Sequence, residues 1–137
     1  MIISYIFSVV LALTIAPTQS ISTDQDTKDC ARFKTGTFDN IDPEDEIVNT
    51  RIIRSERYQL EKYYKYEAEC RFKIKWLDEC TYELAFDSGN EGCLKIVDPN
   101  IKVIVEIVST SEDSHIAEGW LDGSTQRMRS KLVTVKK

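Results

Sequence analysis

The sequence is poor in the residues from which most catalytic and metal sites are built. It holds a single His, His115, so there is no second imidazole for a multi-His metal centre and little basis for His-dependent catalysis. It has no basic excess: 18 Lys and Arg stand against 23 Asp and Glu, a net charge of −5. A nucleic-acid binder normally shows a clustered basic surface instead. No G-x-S-x-G elbow, P-loop, H-E-x-x-H or dinucleotide fingerprint occurs, and there is no N-x-S/T acceptor for glycans. Gly and Pro number only five and three, and no repeat, low-complexity tract or linker interrupts the 137 residues. A chain of that length forms one domain. These absences lead to the expectation of a non-enzymatic domain with no cofactor, no metal and no nucleic-acid partner.

The first 20 residues also lack any charged side chain. An apolar run from Ile2 to Ala16, interrupted only by Ser4, Ser8 and Thr14, ends at Pro17 and turns polar. A secretory h-region spans about 7–15 residues before a small-residue cleavage zone, whereas a spanning helix needs about 20 apolar residues. The pattern predicts a cleaved signal peptide over residues 1–20, with Thr18 at the −3 position, and a single β domain over residues 21–137. No Lys or Arg precedes the run, which departs from the usual signal. The expected location is secreted or periplasmic, with no membrane span after cleavage.

Four Cys follow: Cys30, Cys70, Cys80 and Cys93. An even count in an exported small domain reads as two disulfides with three conceivable pairings. The spacings of 40, 10 and 13 include no close C-x2-C pair of the kind zinc sites use.

From Ala68 to Trp76 the residues alternate strictly: Ala68, Cys70, Phe72, Ile74 and Trp76 against Glu69, Arg71, Lys73 and Lys75. Period-two alternation marks a half-buried strand, and a helix would scatter those apolar residues over several faces. Cys80, Tyr82, Leu84 and Phe86 repeat the pattern. Opposed residues must share a face, which predicts a hairpin with a three-residue loop, Leu77 to Glu79, placing 74 near 82 and 72 near 84. Cys70 then lies roughly 20 Å from Cys80, at about 3.3 Å per residue, while a disulfide needs Cα atoms within about 7 Å. Cys70–Cys80 is excluded. Cys93, following a turn at Asp87–Gly92, falls near the Cys70 end, which favours Cys70–Cys93 with Cys30–Cys80. Cys30–Cys70 with Cys80–Cys93 stays open.

Further strands are expected at Phe33–Phe38, Val48–Arg54, Tyr58–Tyr63, Leu94–Val97, Ile101–Ser109, His115–Leu121 and Arg127–Val135, joined by short turns. About eight or nine strands at hairpin spacing predict an all-β fold: an antiparallel up-and-down meander tied by disulfides, closed as a small barrel or half-barrel, or folded as a sandwich.

Few side chains stand out as sites. Asp87-Ser-Gly-Asn-Glu-Gly92 with Asp98 is only faintly like a calcium loop and reads as a turn, lacking the ligand pattern and flanking helices. Asp42, Glu44, Asp45 and Glu46 read as a solvated acidic loop. His115, near a turn, is expected to be exposed. The aromatics are core and strand-surface residues on the commoner reading. On the functional reading they, Tyr63, Tyr64 and Tyr66 included, line a barrel cavity, with Phe72, Trp76, Tyr82, Trp120 and Tyr58 as candidates.

Cys30-Ala-Arg-Phe-Lys-Thr-Gly-Thr-Phe38, Ile53-Arg54, Gln59-Leu-Glu61 and Phe72-Lys-Ile-Lys-Trp-Leu-Asp-Glu-Cys-Thr-Tyr-Glu-Leu84 resemble an uncharacterised family of small exported bacterial proteins, over about half of the mature chain. The resemblance implies export and attaches no catalytic role to these residues. The short Gly-containing first strand before a meander is also distantly similar to lipocalin-like domains, although Thr37-Phe38 follows Gly36 where those have G-x-W. The expected function is binding of a small apolar ligand or a partner surface by an exported β domain. The alternative is a secreted inhibitor or protein-interaction module presenting a disulfide-fixed hairpin loop such as Leu77–Glu79.

Overall fold

Eight antiparallel strands follow one another round a closed barrel: β1 (Gly36–Ile41), β2 (Val48–Arg54), β3 (Tyr58–Tyr63), β4 (Ala68–Trp76), β5 (Thr81–Gly89), β6 (Lys102–Thr110), β7 (Ser114–Leu121) and β8 (Met128–Thr134). This is a computed structural model, and it describes residues 28–137; the expected signal over residues 1–20 lies outside the described residues. Strand β8 returns to β1 through Phe38–Thr134, Asp39–Val133 and Asn40–Leu132, which closes the sheet and satisfies both edges. The expected meander is the one observed, and closure decides for a barrel over a sandwich.

Strand β4 shows why. Its odd residues are exposed and its even residues from Ala68 to Ile74 are buried. Phe72, Ile74, Leu84, Val105, Ile107 and Leu132 all turn inward, and each such side chain contributes about 1.5–3 kcal/mol when fully buried. Eight strands leave an interior wide enough for side chains or one small ligand.

The two ends differ. Turns at residues 55–57, 77–80 and 111–113 gather at the lower end, where a 3-10 helix, Cys30–Phe33, crosses the opening. Phe33 is buried there against His115, with ring centroids 4.6 Å apart. The Cys30–Cys80 disulfide pins this plug to the β4–β5 turn. The upper end carries the longer connections, including α1 (Glu91–Ile96), held by the Cys70–Cys93 disulfide. Both pairings are the favoured ones. A disulfide-tied chain fits an oxidising compartment outside the cytoplasm, and among the described residues no helix is long and apolar enough to cross a membrane.

Four local expectations need correction. The β4–β5 register is Trp76–Tyr82 and Ile74–Leu84, not 74 near 82 and 72 near 84. Parity survives the shift, so the same side chains face inward. The loop is longer because Asp78 accepts a 2.8 Å hydrogen bond from the Cys80 amide and turns Cys80 toward Cys30. Strand β5 then runs to Gly89, through part of the expected Asp87–Gly92 turn.

Residues Leu94–Val97 are not a strand. Asn90 accepts from the Cys93 amide at 2.9 Å and caps α1, while its side chain also bonds the backbone of Glu67 and Glu69. Gly92 permits this packing: a Cβ there would lie 2.8 Å from the Glu67 and Tyr66 carbonyl oxygens. The expected first strand likewise divides into the 3-10 helix and β1, separated before Gly36, whose φ of 137° suits only Gly.

His115 is the fourth. It is 1% exposed, with its ring centroid 4.9 Å from that of Phe38 and neither ring nitrogen hydrogen-bonded. The proximity of a turn misleads because the plug covers that end of the barrel. Burial, reinforced by the Arg54 charge, lowers its pKa from 6.5 to about 3. The folded protein therefore keeps His115 neutral where the unfolded chain protonates it. Stability from this residue is fully present above about pH 6.5 and is lost as pH falls toward about 3, by roughly 3–5 kcal/mol in all. Urea unfolding of His115→Leu across that window should lack this acid loss; an unchanged pH slope would contradict the assignment.

Candidate functional site

The upper part of the barrel is not filled. A cavity of about 470 Å³ runs inside it, walled mainly by Ile52, Phe72, Leu84, Val103, Val105, Ala117 and Leu132. Exposed Ile96, Leu121 and Met128 rim its mouth beside α1 and the turn after β7.

Asn40, Thr50, Asp98 and Ser130 contribute polar groups to its lining, and β3 contributes three more. Alternation there puts Gln59, Glu61 and Tyr63 inside and Leu60 and Lys62 outside, the reverse of a hydrophobic-in pattern. Cross-strand pairing sets Arg54 of β2 against Gln59 and Ile52 against Glu61. The result is a continuous buried network. Arg54 donates from Nε to Gln59 Oε1 at 2.8 Å, from Nη1 to the Phe33 carbonyl at 2.7 Å and from Nη2 to Tyr82 Oη at 2.8 Å. Gln59 Nε2 donates to Glu61 Oε1 at 2.6 Å, and Tyr63 Oη donates to the other carboxylate oxygen. The guanidinium also lies 5.0 Å from the Phe38 ring centroid and 4.8 Å from that of Tyr82. The network thus joins the lower plug to the cavity.

Electrostatics follow from this burial. Glu61 is 9% exposed. Desolvation raises its pKa, opposed by the hydrogen bonds from Tyr63 and Gln59 and by the Arg54 charge. Burial likewise raises the phenol pKa values of Tyr63 and Tyr82, so both remain proton donors. Glu61 accepts one bond at each oxygen, and an ionised carboxylate offers about four acceptor positions. Acceptor capacity is left over on a residue that lines the cavity.

The sequence candidates divide. Phe72 and Tyr82 line the cavity. Trp76 points inward but sits at the lower end, its ring centroid 4.7 Å from that of Tyr82 and 5.0 Å from the Lys34 ammonium, outside the cavity. Tyr58 and Trp120 lie on the outer face instead, because each has the opposite parity to its inward neighbours Gln59 and Gly119. The guanidinium of Arg71 lies 3.8 Å from the Tyr58 ring centroid, and that of Arg127 lies 4.0 Å from the Trp120 centroid. Tyr63, one of the aromatics expected there, also lines the cavity, whereas Tyr64 and Tyr66 are exposed on the short 3-10 turn after β3. Gln59 and Glu61 were not expected as site residues. Gln59-Leu-Glu61 stood out only as part of a resemblance, and the signal that could have found it is parity relative to Ile52.

Elsewhere the acidic residues serve the fold. Asp42 and Asp45 accept from the Glu44 and Ile47 amides in their own loop. Asp87 faces Arg71 and Lys73 at 3.6 and 3.8 Å. Among the described residues no group of three or more His, Cys, Asp or Glu is arranged to hold a metal ion. In comparisons with known proteins the chain matches no family model, no curated protein and no solved structure.

Proposed function

We propose that this protein is an exported, non-enzymatic barrel that binds a small, largely apolar molecule in its cavity. The observation that carries the reading is the cavity of about 470 Å³, with apolar walls and a few convergent polar groups on β3. Small-molecule sites are concave spaces of about 300–1,000 Å³ built in that manner. An exposed rim of Ile96, Leu121 and Met128 supplies an apolar entry. Export rests on the apolar N-terminal segment together with the two disulfides.

Gly119 offers a clean test. It lines the cavity opposite Val105, and a Cβ there would meet only ordinary contacts, the nearest at 3.8 Å. Gly119→Leu should fill part of the space without strain. Unfolding stability should stay within about 1 kcal/mol of the parent or rise, since Gly in a strand interior costs about 0.5–1 kcal/mol. Binding of an environment-sensitive naphthalene fluorophore should fall at least about tenfold. Equal fluorophore binding by parent and variant would place the binding surface elsewhere.

The interaction-module reading retains one supporting observation. Leu77, at the tip of the disulfide-tied β4–β5 turn, is 49% exposed. A single exposed Leu is common on protein surfaces, and the cavity carries more of the argument.

A further inference from the structure

The cavity is acidic as well as apolar. Among the residues lining it, Glu61 and Asp98 are the only ones with a charged side chain; no Lys, Arg or His takes part. Arg54 is close but turned away, its three hydrogen bonds going to Gln59, Tyr82 and the Phe33 carbonyl and its face held between Phe38 and Tyr82. A ligand carboxylate or phosphate would therefore meet two like charges and no free cation. An ammonium would meet the remaining acceptor capacity of Glu61, with the rings of Tyr63, Phe72 and Tyr82 on the same cavity wall.

We infer that the ligand is an amine, a protonated nitrogen on an apolar or aromatic body, with its ammonium on Glu61 and its body between Phe72, Leu84 and Val105. This rests on the ligand-binding reading above and specifies its chemistry. Asp98, at the end of the cavity near α1, adds a second negative charge that favours entry of a cation. The buried carboxylate is the recognition element: the Arg54 charge reaches it only through Gln59, and a ligand ammonium would bond to it directly.

Three indole probes of similar size separate the charges by calorimetry on the disulfide-bonded chain: tryptamine, its neutral alcohol tryptophol and indole-3-propionic acid. Tryptamine should bind tightest and the acid weakest. Glu61→Gln should weaken tryptamine about 10- to 100-fold, the span of a lost hydrogen bond to a charged group, and leave tryptophol within about twofold. Should that variant not fold, the unaltered protein still decides by its pH dependence. The charged or titratable groups around Glu61 are Arg54 on β2, Tyr63 on its own strand, Tyr82 on β5 and Asp98 across the cavity. Burial raises the pKa of both phenols further, so neither ionises between about pH 5 and pH 8. Burial raises the pKa of Glu61 and its ionised form is the one that holds an ammonium, so tryptamine affinity should rise with pH there while tryptophol affinity stays flat. Tryptophol or the acid binding as tightly as tryptamine would overturn the amine assignment and leave the ligand-binding reading standing. No tryptamine binding, or equal pH dependence for amine and alcohol, would also overturn it.

Discussion

Replacing Arg54 with Leu should lower the unfolding free energy by about 3–5 kcal/mol, the range for breaking a buried charged network by removing one partner. The buried guanidinium satisfies Gln59 Oε1, Tyr82 Oη and the Phe33 carbonyl at once. Its loss leaves buried acceptors without donors and leaves Glu61 without the charge that offsets its desolvation. Arg54→Lys keeps the charge but lacks the planar fork, so it should recover only part of the loss. The network also makes a coupling prediction. Adding Glu61→Leu to Arg54→Leu should cost less than the sum of the single changes, by about 0.5–3 kcal/mol, because each single change strands a group that the other depends on. Urea unfolding monitored by circular dichroism reads all of these variants. A loss under about 1 kcal/mol for Arg54→Leu would show that the network does not hold the plug to the barrel.

The second large effect belongs to the Cys30–Cys80 disulfide. It closes a loop of 50 residues, and cross-linking a loop of that length stabilises by about 4 kcal/mol in the chain-entropy account. Cys70–Cys93 closes 23 residues, which corresponds to about 3.4 kcal/mol. Changing Cys30 and Cys80 together to Ala should therefore cost more than the equivalent change at Cys70 and Cys93. It should also loosen the lower end specifically, since Cys30 anchors the helix that carries Phe33 across the barrel. Amide exchange should then increase near Phe33 and His115 before it increases in β4 and β5. Equal losses for the two double variants, with no preferential opening at the plug, would contradict this division of labour.

These effects show where the sequence was readable. β4 alternates without exception, so its inner face, the parity of the following hairpin and the exclusion of Cys70–Cys80 all follow from spacing. The favoured disulfides survive a register that is two residues out, because a two-residue shift preserves the face. The candidate site was hidden for a physical reason. On β2 and β3 the apolar Ile53 and Leu60 face outward and pair with each other, while Arg54, Gln59 and Glu61 face inward. Hydrophobicity alone assigns those faces backward. Only cross-strand pairing with Ile52 and the closure of the barrel, both tertiary facts, correct it. His115 was misplaced similarly, since nothing local signals that a helix some 80 positions earlier caps its end of the barrel. The α1 helix left a local trace in the Asn90 cap, yet Leu94 and Ile96 are exposed and provide no helical stripe.

The most direct test of a ligand-binding barrel is native mass spectrometry of the full chain, disulfides intact, purified without detergent from the cells that produce it. The expected result is a complex heavier than the polypeptide by the mass of one small molecule. That molecule should be released on denaturation and absent from the Gly119→Leu variant prepared in parallel. A polypeptide mass alone under the gentlest ionisation, with no small molecule recovered in an organic extract of the same sample, would contradict it.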